Sequence, residues 1–169
     1  MDPKSLSTEE DVAKMEAWRP EPRETPADRA GDAGTAWRRL DRRLVLMVQD
    51  AAGAWGFPAA RNAEGETIRE TAERALREAV GEGEAAPRVY FVGNAPAGHL
   101  ATGAGVAGAG GGPGGSLFFH RAQVLTPVDR LALVGEYHGR RTAWVARDEV
   151  DAYAATPEAG AFLRRLLID

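Results

Sequence analysis

Five apolar residues stand consecutively at Leu44, Val45, Leu46, Met47 and Val48. Successive side chains of a β-strand point to opposite faces of its sheet, so a strand apolar at every position has no face to turn towards water. Such a run suits a strand buried on both sides, which needs other elements packed above and below it. With 169 residues and 44% hydrophobic content, the chain can build one domain with a core of that kind, whereas two would be a squeeze. The segments "RVYFVGN" (88–94), "SLFFHRAQVL" (116–125) and "RTAWVA" (141–146) also read as strands. Strands separated by helices of different lengths predict an α/β sandwich with a mixed β-sheet, and there is no internal repeat.

The most informative helix lies in "GETIRETAERALREAVG" (65–81). Thr67 is placed to cap its N-terminus, with Glu70 three positions later completing a capping box. Ile68, Ala72, Ala75, Leu76 and Ala79 recur at helical spacing and lay one apolar stripe along it, and Gly81 supplies the stop. Its charged residues fall into i,i+4 register as Glu70–Arg74–Glu78 and Glu73–Arg77, pairs worth roughly 0.2–0.5 kcal/mol each on a solvent face. "RDEVDAYAA" reads as helical. Thr156 caps a last helix with Pro157 at its first position, running through Phe162, Leu163, Leu166 and Leu167.

Residues 1–39 read as an extended N-terminal arm, broken by Pro20, Pro22, Pro26, Gly31 and Gly34. Val12, Met15 and Trp18 suggest one short helix within it, and Trp18 and Trp37 favour docking onto a surface over free disorder. The remaining 40–169 form the domain, interrupted at 103–115 by "GAGVAGAGGGPGG", which holds 8 of the 20 glycines. That stretch formally matches G-x-G-x-x-G, but more Gly and a Pro follow where a helix should start. It is a low-complexity loop insertion rather than a dinucleotide fingerprint.

Composition removes several functions. With no cysteine there is neither a disulfide framework nor a thiolate metal site, and three scattered histidines make a zinc site unfavourable. No apolar run approaches the roughly 20 residues that span a bilayer. The acidic N-terminus lacks the Arg-rich character of an organelle transit peptide. A net charge of −4 gives no general drive towards nucleic acid, so RNA contact would need local basic clusters. Arg38, Arg39, Arg42 and Arg43 form one; Arg140-Arg141 and Arg164-Arg165 add two pairs. His99, in "GNAPAGH", reads as a structural hydrogen-bonder, since no Ser or Cys nucleophile carries a matching elbow.

"WGFPAARNAEGETIRETAERALREAVG" resembles the Nudix box, G-x5-E-x7-R-E-U-x-E-E-x-G-U with U apolar. With Glu66 as anchor, Arg74, Leu76, Glu78 and Gly81 match. Ala60 replaces the first Gly, Ala75 and Ala79 replace two glutamates, and Glu82 stands at the final apolar position. Nudix enzymes hold magnesium or manganese on a pyrophosphate with glutamates from one helical face, because hard cations need oxygen ligands. Only Glu78 of the three clustered acids remains. Glu66, Arg74 and Glu78 therefore read as remnants of a lost site, with no catalytic residue, metal or cofactor implied.

The resemblance narrows further. "RPEPRETPADRAGDAGTAWRRLDRRLVLMV", "GETIRETAERAL", "FVGNAPAGH", "AWVARDEVDAY" and "FLRRLL" together are similar to the mitochondrial large-ribosomal-subunit protein 46 family, a catalytically degenerate Nudix-like family. The resemblance implies a Nudix-type α/β/α sandwich without hydrolase activity, placed in the mitochondrial matrix within the central protuberance of the large ribosomal subunit. It implies other large-subunit proteins as partners and no membrane; rRNA, if contacted, would be met through the local basic clusters Arg38, Arg39, Arg42, Arg43, Arg140 and Arg141. The family carries a longer N-terminal region with an import sequence, so this chain is expected to be a portion of a longer protein. Two other readings stay open: a divergent Nudix hydrolase acting on nucleoside diphosphate derivatives, and a module that holds a nucleotide without cleaving it.

Overall fold

A computed structural model of the chain describes residues 11, 13, 15, 17–82, 86–101, 115–127, 131, 136, 137 and 140–168. Val12 and nearly all of the Gly-rich insertion, 103–114, lie outside the described residues.

The apolar run forms β1 (Leu44–Gln49), one of the two inner strands of a four-stranded sheet. On one side it turns through Asp50–Ala54 into β2 (Trp55–Gly56). On the other it pairs along its length with β8 (Arg140–Ala146), from Leu44 opposite Ala146 to Val48 opposite Thr142. The short β7 (Glu136–Tyr137) lies outside β8, giving the order β2-β1-β8-β7. Two smaller ribbons complete the strands: β3 (Val89–Phe91) with β6 (Ala122–Val124), and β4 (Gly98–Ala101) with β5 (Ser116–Phe119). Every strand pair among the described residues is antiparallel, where a mixed sheet was expected. Parallel neighbours need a crossover that returns to the same sheet. The long helix α2 (Ile68–Val80) instead leads from β2 to β3, which lie in different sheets.

The central sheet is covered on both faces, as the uninterrupted apolar run requires. Val45 and Met47 of β1 join Ala143 and Val145 of β8 in one cluster, closed by Val150 and by Leu163 of α3 (Pro157–Leu166). Leu44, Leu46 and Val48 point the other way and join Trp144 against Leu76, Ala79 and Val80 of α2. The period-two alternation of one strand thus feeds two separate cores. Both long helices start as the sequence predicts. Thr67 Oγ1 accepts from the Glu70 amide while the Glu70 carboxylate accepts from the Thr67 amide. Thr156 Oγ1 accepts from the Ala159 amide, with Pro157 next in line.

The segment expected to be an extended arm departs from that description after residue 24. "TPAD" is itself a capping box with Pro at the first helical position, and it nucleates α1 (Pro26–Ala30), which ends on Gly31 in the left-handed region at φ 64°. Thr25 is fully buried. Beyond α1 the chain runs along the outer edge of β8 past the point where β7 stops. The Trp144 amide donates to the Ala33 carbonyl at 2.7 Å, and the Trp144 carbonyl accepts from Arg38 Nη1 at 2.8 Å. Residues 33–38 therefore do for the end of β8 what a further strand would do, removing an open edge. Trp18 and Met15, by contrast, are 69% and 75% exposed.

Candidate functional site

The loop 60–66 and helix α2 are tied together by one carboxylate. Glu66 accepts from Arg74 at both oxygens, 2.7 Å from Nε and 2.9 Å from Nη2. Its Oε2 also accepts from the Ala63 amide at 3.1 Å and from Thr71 Oγ1 at 2.9 Å. The Arg74 contact above all, then the Ala63 amide and Thr71, hold the Glu66 carboxyl down to about 2. Arg74 spends its remaining donors on Glu78 Oε1 at 2.9 Å and the Arg61 carbonyl at 2.7 Å, and its affinity for the proton is raised accordingly. Asn62 closes the loop with bonds to Thr71 Oγ1 and the Glu66 carbonyl. Glu66, Arg74 and Glu78 thus form one linked set, tied to the loop backbone at Ala63 and Arg61 and to Thr71.

The two alanines are buried where the motif's other acids would stand. Ala75 is 4% and Ala79 2% exposed, and Ala79 packs against Val48 and Trp144. Glu78, at the next position, turns outward with more than half of its side chain in solvent. Ala60 lines the apolar cleft of about 1020 Å³ beside α2, together with Phe57, Ile68, Ala75, Phe91 and Phe119. Among the described residues, Arg43 and Arg121 are the charged ones in its wall, and no carboxylate lines it. The charged oxygen ligands that hold a hard cation are therefore not presented to this cleft by the described residues. Among the described residues no three His, Asp or Glu side chains gather as a metal site.

The helix-surface ladder differs from the expected one in its partners. Arg74–Glu78 forms, but Glu70 is taken by its cap, Glu73 pairs with Arg69 at 2.8 Å, and Arg77 reaches Glu82. A capping carboxylate is drawn towards the helix N-terminus, which leaves it unavailable one turn later. His99 lies in β4 rather than in a turn, its Nε2 3.3 Å from Ser116 Oγ and its ring tilted over Phe118 at 5.3 Å. It makes a cross-strand contact inside the β4–β5 ribbon, and no carboxylate orients it among the described residues.

The arginine clusters are not gathered on one face. Arg38 is 7% exposed, and its guanidinium meets Glu149 through two bonds of 2.5 and 2.8 Å besides the Trp144 carbonyl. Arg39 forms a matching pair of 2.7 Å bonds with Asp148. Burial alone would push the Glu149 carboxyl up, but Arg38 and the Ala146 amide outweigh it and leave it lowered. Arg42 sits near Asp41, and Arg43 is exposed just before β1. Arg140 and Arg141 begin β8, at the opposite end of the β1–β8 pair, roughly 20 Å away at 3.3 Å per residue. Arg141 lies over the Trp55 ring at 5.8 Å. Of Arg164-Arg165, Arg164 bonds to Asp151. The Arg38–Glu149 link was missed in the sequence because its partners are 111 positions apart; the "TPAD" cap could have been read locally.

No family model matches the chain. Among curated proteins it is similar to large ribosomal subunit protein mL46 of Bos taurus, with 35% identity over 160 residues, covering 92% of this chain and 55% of that protein. Against mL46 of Mus musculus the figures are 35% over 163 residues, 90% of this chain and 52% of the relative. For Rattus norvegicus mL46 they are 34% over 163 residues, 90% and 53%. The chain spans about half the length of the curated relatives it matches. Across about nine-tenths of its own length, the chain is a homologue of large ribosomal subunit protein mL46.

Proposed function

We propose that this chain is a structural component of the large subunit of the mitochondrial ribosome, working in the matrix in support of mitochondrial translation. Its place is the central protuberance, among other large-subunit proteins. Residues 40–169 are a Nudix-type α/β/α sandwich with an insertion at 103–115, preceded by the segment 1–39, and the enzymatic chemistry of that fold has been given up. The homology to mL46 supports the ribosomal reading. The observation that carries the non-enzymatic part is the burial of Ala75 and Ala79, the latter against Val48 and Trp144 of the sheet, which puts methyl groups where a metal would need oxygen. Glu66 and Arg74 then serve as a brace between loop and helix. Contact with rRNA, where it occurs, falls to the exposed Arg42, Arg43, Arg140 and Arg141, because Arg38 and Arg39 are committed to Glu149 and Asp148.

The test is sedimentation of the endogenous protein from a mitochondrial lysate at low salt. Co-migration with the large ribosomal subunit is expected; recovery only in light fractions would overturn the ribosomal reading. A magnesium-dependent assay over a library of nucleoside diphosphate derivatives should be blank, and turnover that disappears in Glu78→Gln would restore the hydrolase.

A further inference from the structure

The β3–β6 ribbon has two unlike faces. Val89 lies opposite Val124 and Phe91 opposite Ala122, with Val124 packed against the Trp144 cluster. The alternate residues are open to solvent, and Val92, Gln123 and Arg121 also border the rim of the apolar cleft beside α2. Tyr90 lies opposite Gln123, and two backbone bonds extend the ladder by one step at each end: the Leu125 amide to the Arg88 carbonyl at 2.7 Å, and the Val92 amide to the Arg121 carbonyl at 2.9 Å. One face therefore carries three cross-strand rows: Arg88 beside Leu125, Tyr90 beside Gln123, and Val92 beside Arg121.

Three of these six side chains are large, apolar and open to solvent: Tyr90 at 57%, Leu125 at 50% and Val92 at 44% exposure. Singly exposed apolar residues are ordinary, but a contiguous strip of them marks a contact surface. The arginines stand at diagonal corners of the strip, roughly 14 Å apart by strand rise and spacing. Both are exposed and neither forms an ion pair among the described residues; Arg121 has only a 3.5 Å contact to the Leu166 carbonyl. The sequence of the ribbon and its flanks, 86–94 and 121–127, contains no Asp or Glu in a chain whose net charge is −4. An aromatic and two aliphatic side chains between arginines that have no ion pair among the described residues have the make-up of an interface centre with a cationic rim.

We propose that this face docks a neighbouring protein that presents apolar side chains flanked by carboxylates. A nucleic-acid strand could stack on Tyr90 and pair with the arginines, but it has nothing with which to bury Val92 and Leu125. Charge complementarity sets the partner's sign, and the aliphatic pair sets its class. The inference rests on the ribosomal reading for where the partner is met.

The experiment replaces Tyr90 with photoreactive p-benzoylphenylalanine in the full chain, irradiates isolated mitochondrial large subunits, and sequences the cross-linked product. The expected adduct is a ribosomal-protein peptide with acidic and apolar residues together. The double variant Arg88→Glu/Arg121→Glu should lower the adduct yield about ten-fold, the like-charge penalty at a rim, while leaving the thermal midpoint of the isolated protein unchanged. A cross-link to rRNA or to a second copy of the chain overturns the inference, as does an absent cross-link in a chain that still sediments with the subunit. Failure to sediment at all overturns the ribosomal reading and this inference with it.

Discussion

Glu66 braces its loop against helix α2 through Arg74. Its carboxyl is held at about 2 against an ordinary value of 4.5, chiefly by Arg74. A carboxyl whose value is depressed in the folded state contributes stability that is complete above the unfolded value, and that contribution is lost as pH falls through the folded one. The window for Glu66 is thus about pH 4.5 down to about 2. Glu66→Gln should be less stable than the parent at neutral pH, with the deficit shrinking across that window in urea titrations. Glu149, Asp148, Asp28 and Glu70 are also lowered, but they are present in both proteins and cancel in the difference. A deficit at pH 2.5 equal to that at pH 7 would show that Glu66 acts by shape and not by charge.

At the level of the element, α2 illustrates how packing and chemistry compete for one helical stripe. The apolar positions Ala75, Ala79 and Val80 are buried, while the predicted stripe member Ile68 is 42% exposed at the first turn, beside the cleft. Placing the acid of the Nudix pattern there by Ala79→Glu would put a carboxylate against Trp144 and Val48. An unpaired charge there costs several kcal/mol, so the variant should melt well below the parent by circular dichroism and still show no magnesium-dependent hydrolysis. A stable Ala79→Glu protein would mean that the helix can rotate its face away from the sheet. The box was readable ligand by ligand in the sequence because its positions lie within one loop and one helix. Partner choice on the helix surface was not, since spacing alone cannot say whether Glu70 serves Arg74 or its own cap.

Over the whole molecule, β8 draws on the chain's two ends. Its inner edge pairs with β1, its first residues pair with β7, and its outer edge beyond them is satisfied by Ala33 and Arg38. Trimming the chain to begin at Thr25 should leave the thermal midpoint close to that of the parent. Trimming it to begin at Leu40 removes the Arg38–Glu149 link and exposes the Trp144 edge, which should lower stability by about 3 kcal/mol, the cost of stripping a buried charge pair of one partner. It should also promote self-association visible by light scattering. Equal stability of the two truncations would place residues 25–39 outside the folded unit.

The residues alone were enough to specify the local decisions. A strand apolar at Leu44–Val48 had to be covered on both faces, Thr67 and Thr156 had to cap helices, and the alanines at 75 and 79 had to deny oxygen to a metal, because each follows from neighbours a few positions away. The likeness to mL46 was legible for the same reason, carried by short contiguous motifs. Three things waited for the tertiary structure: the antiparallel pairing of the described strands, the burial of Arg38 against Glu149, and the exposed strip of Tyr90, Val92 and Leu125. Each depends on which distant segment lies alongside, and that is settled by how the two cores close around β1 rather than by any local preference of the chain.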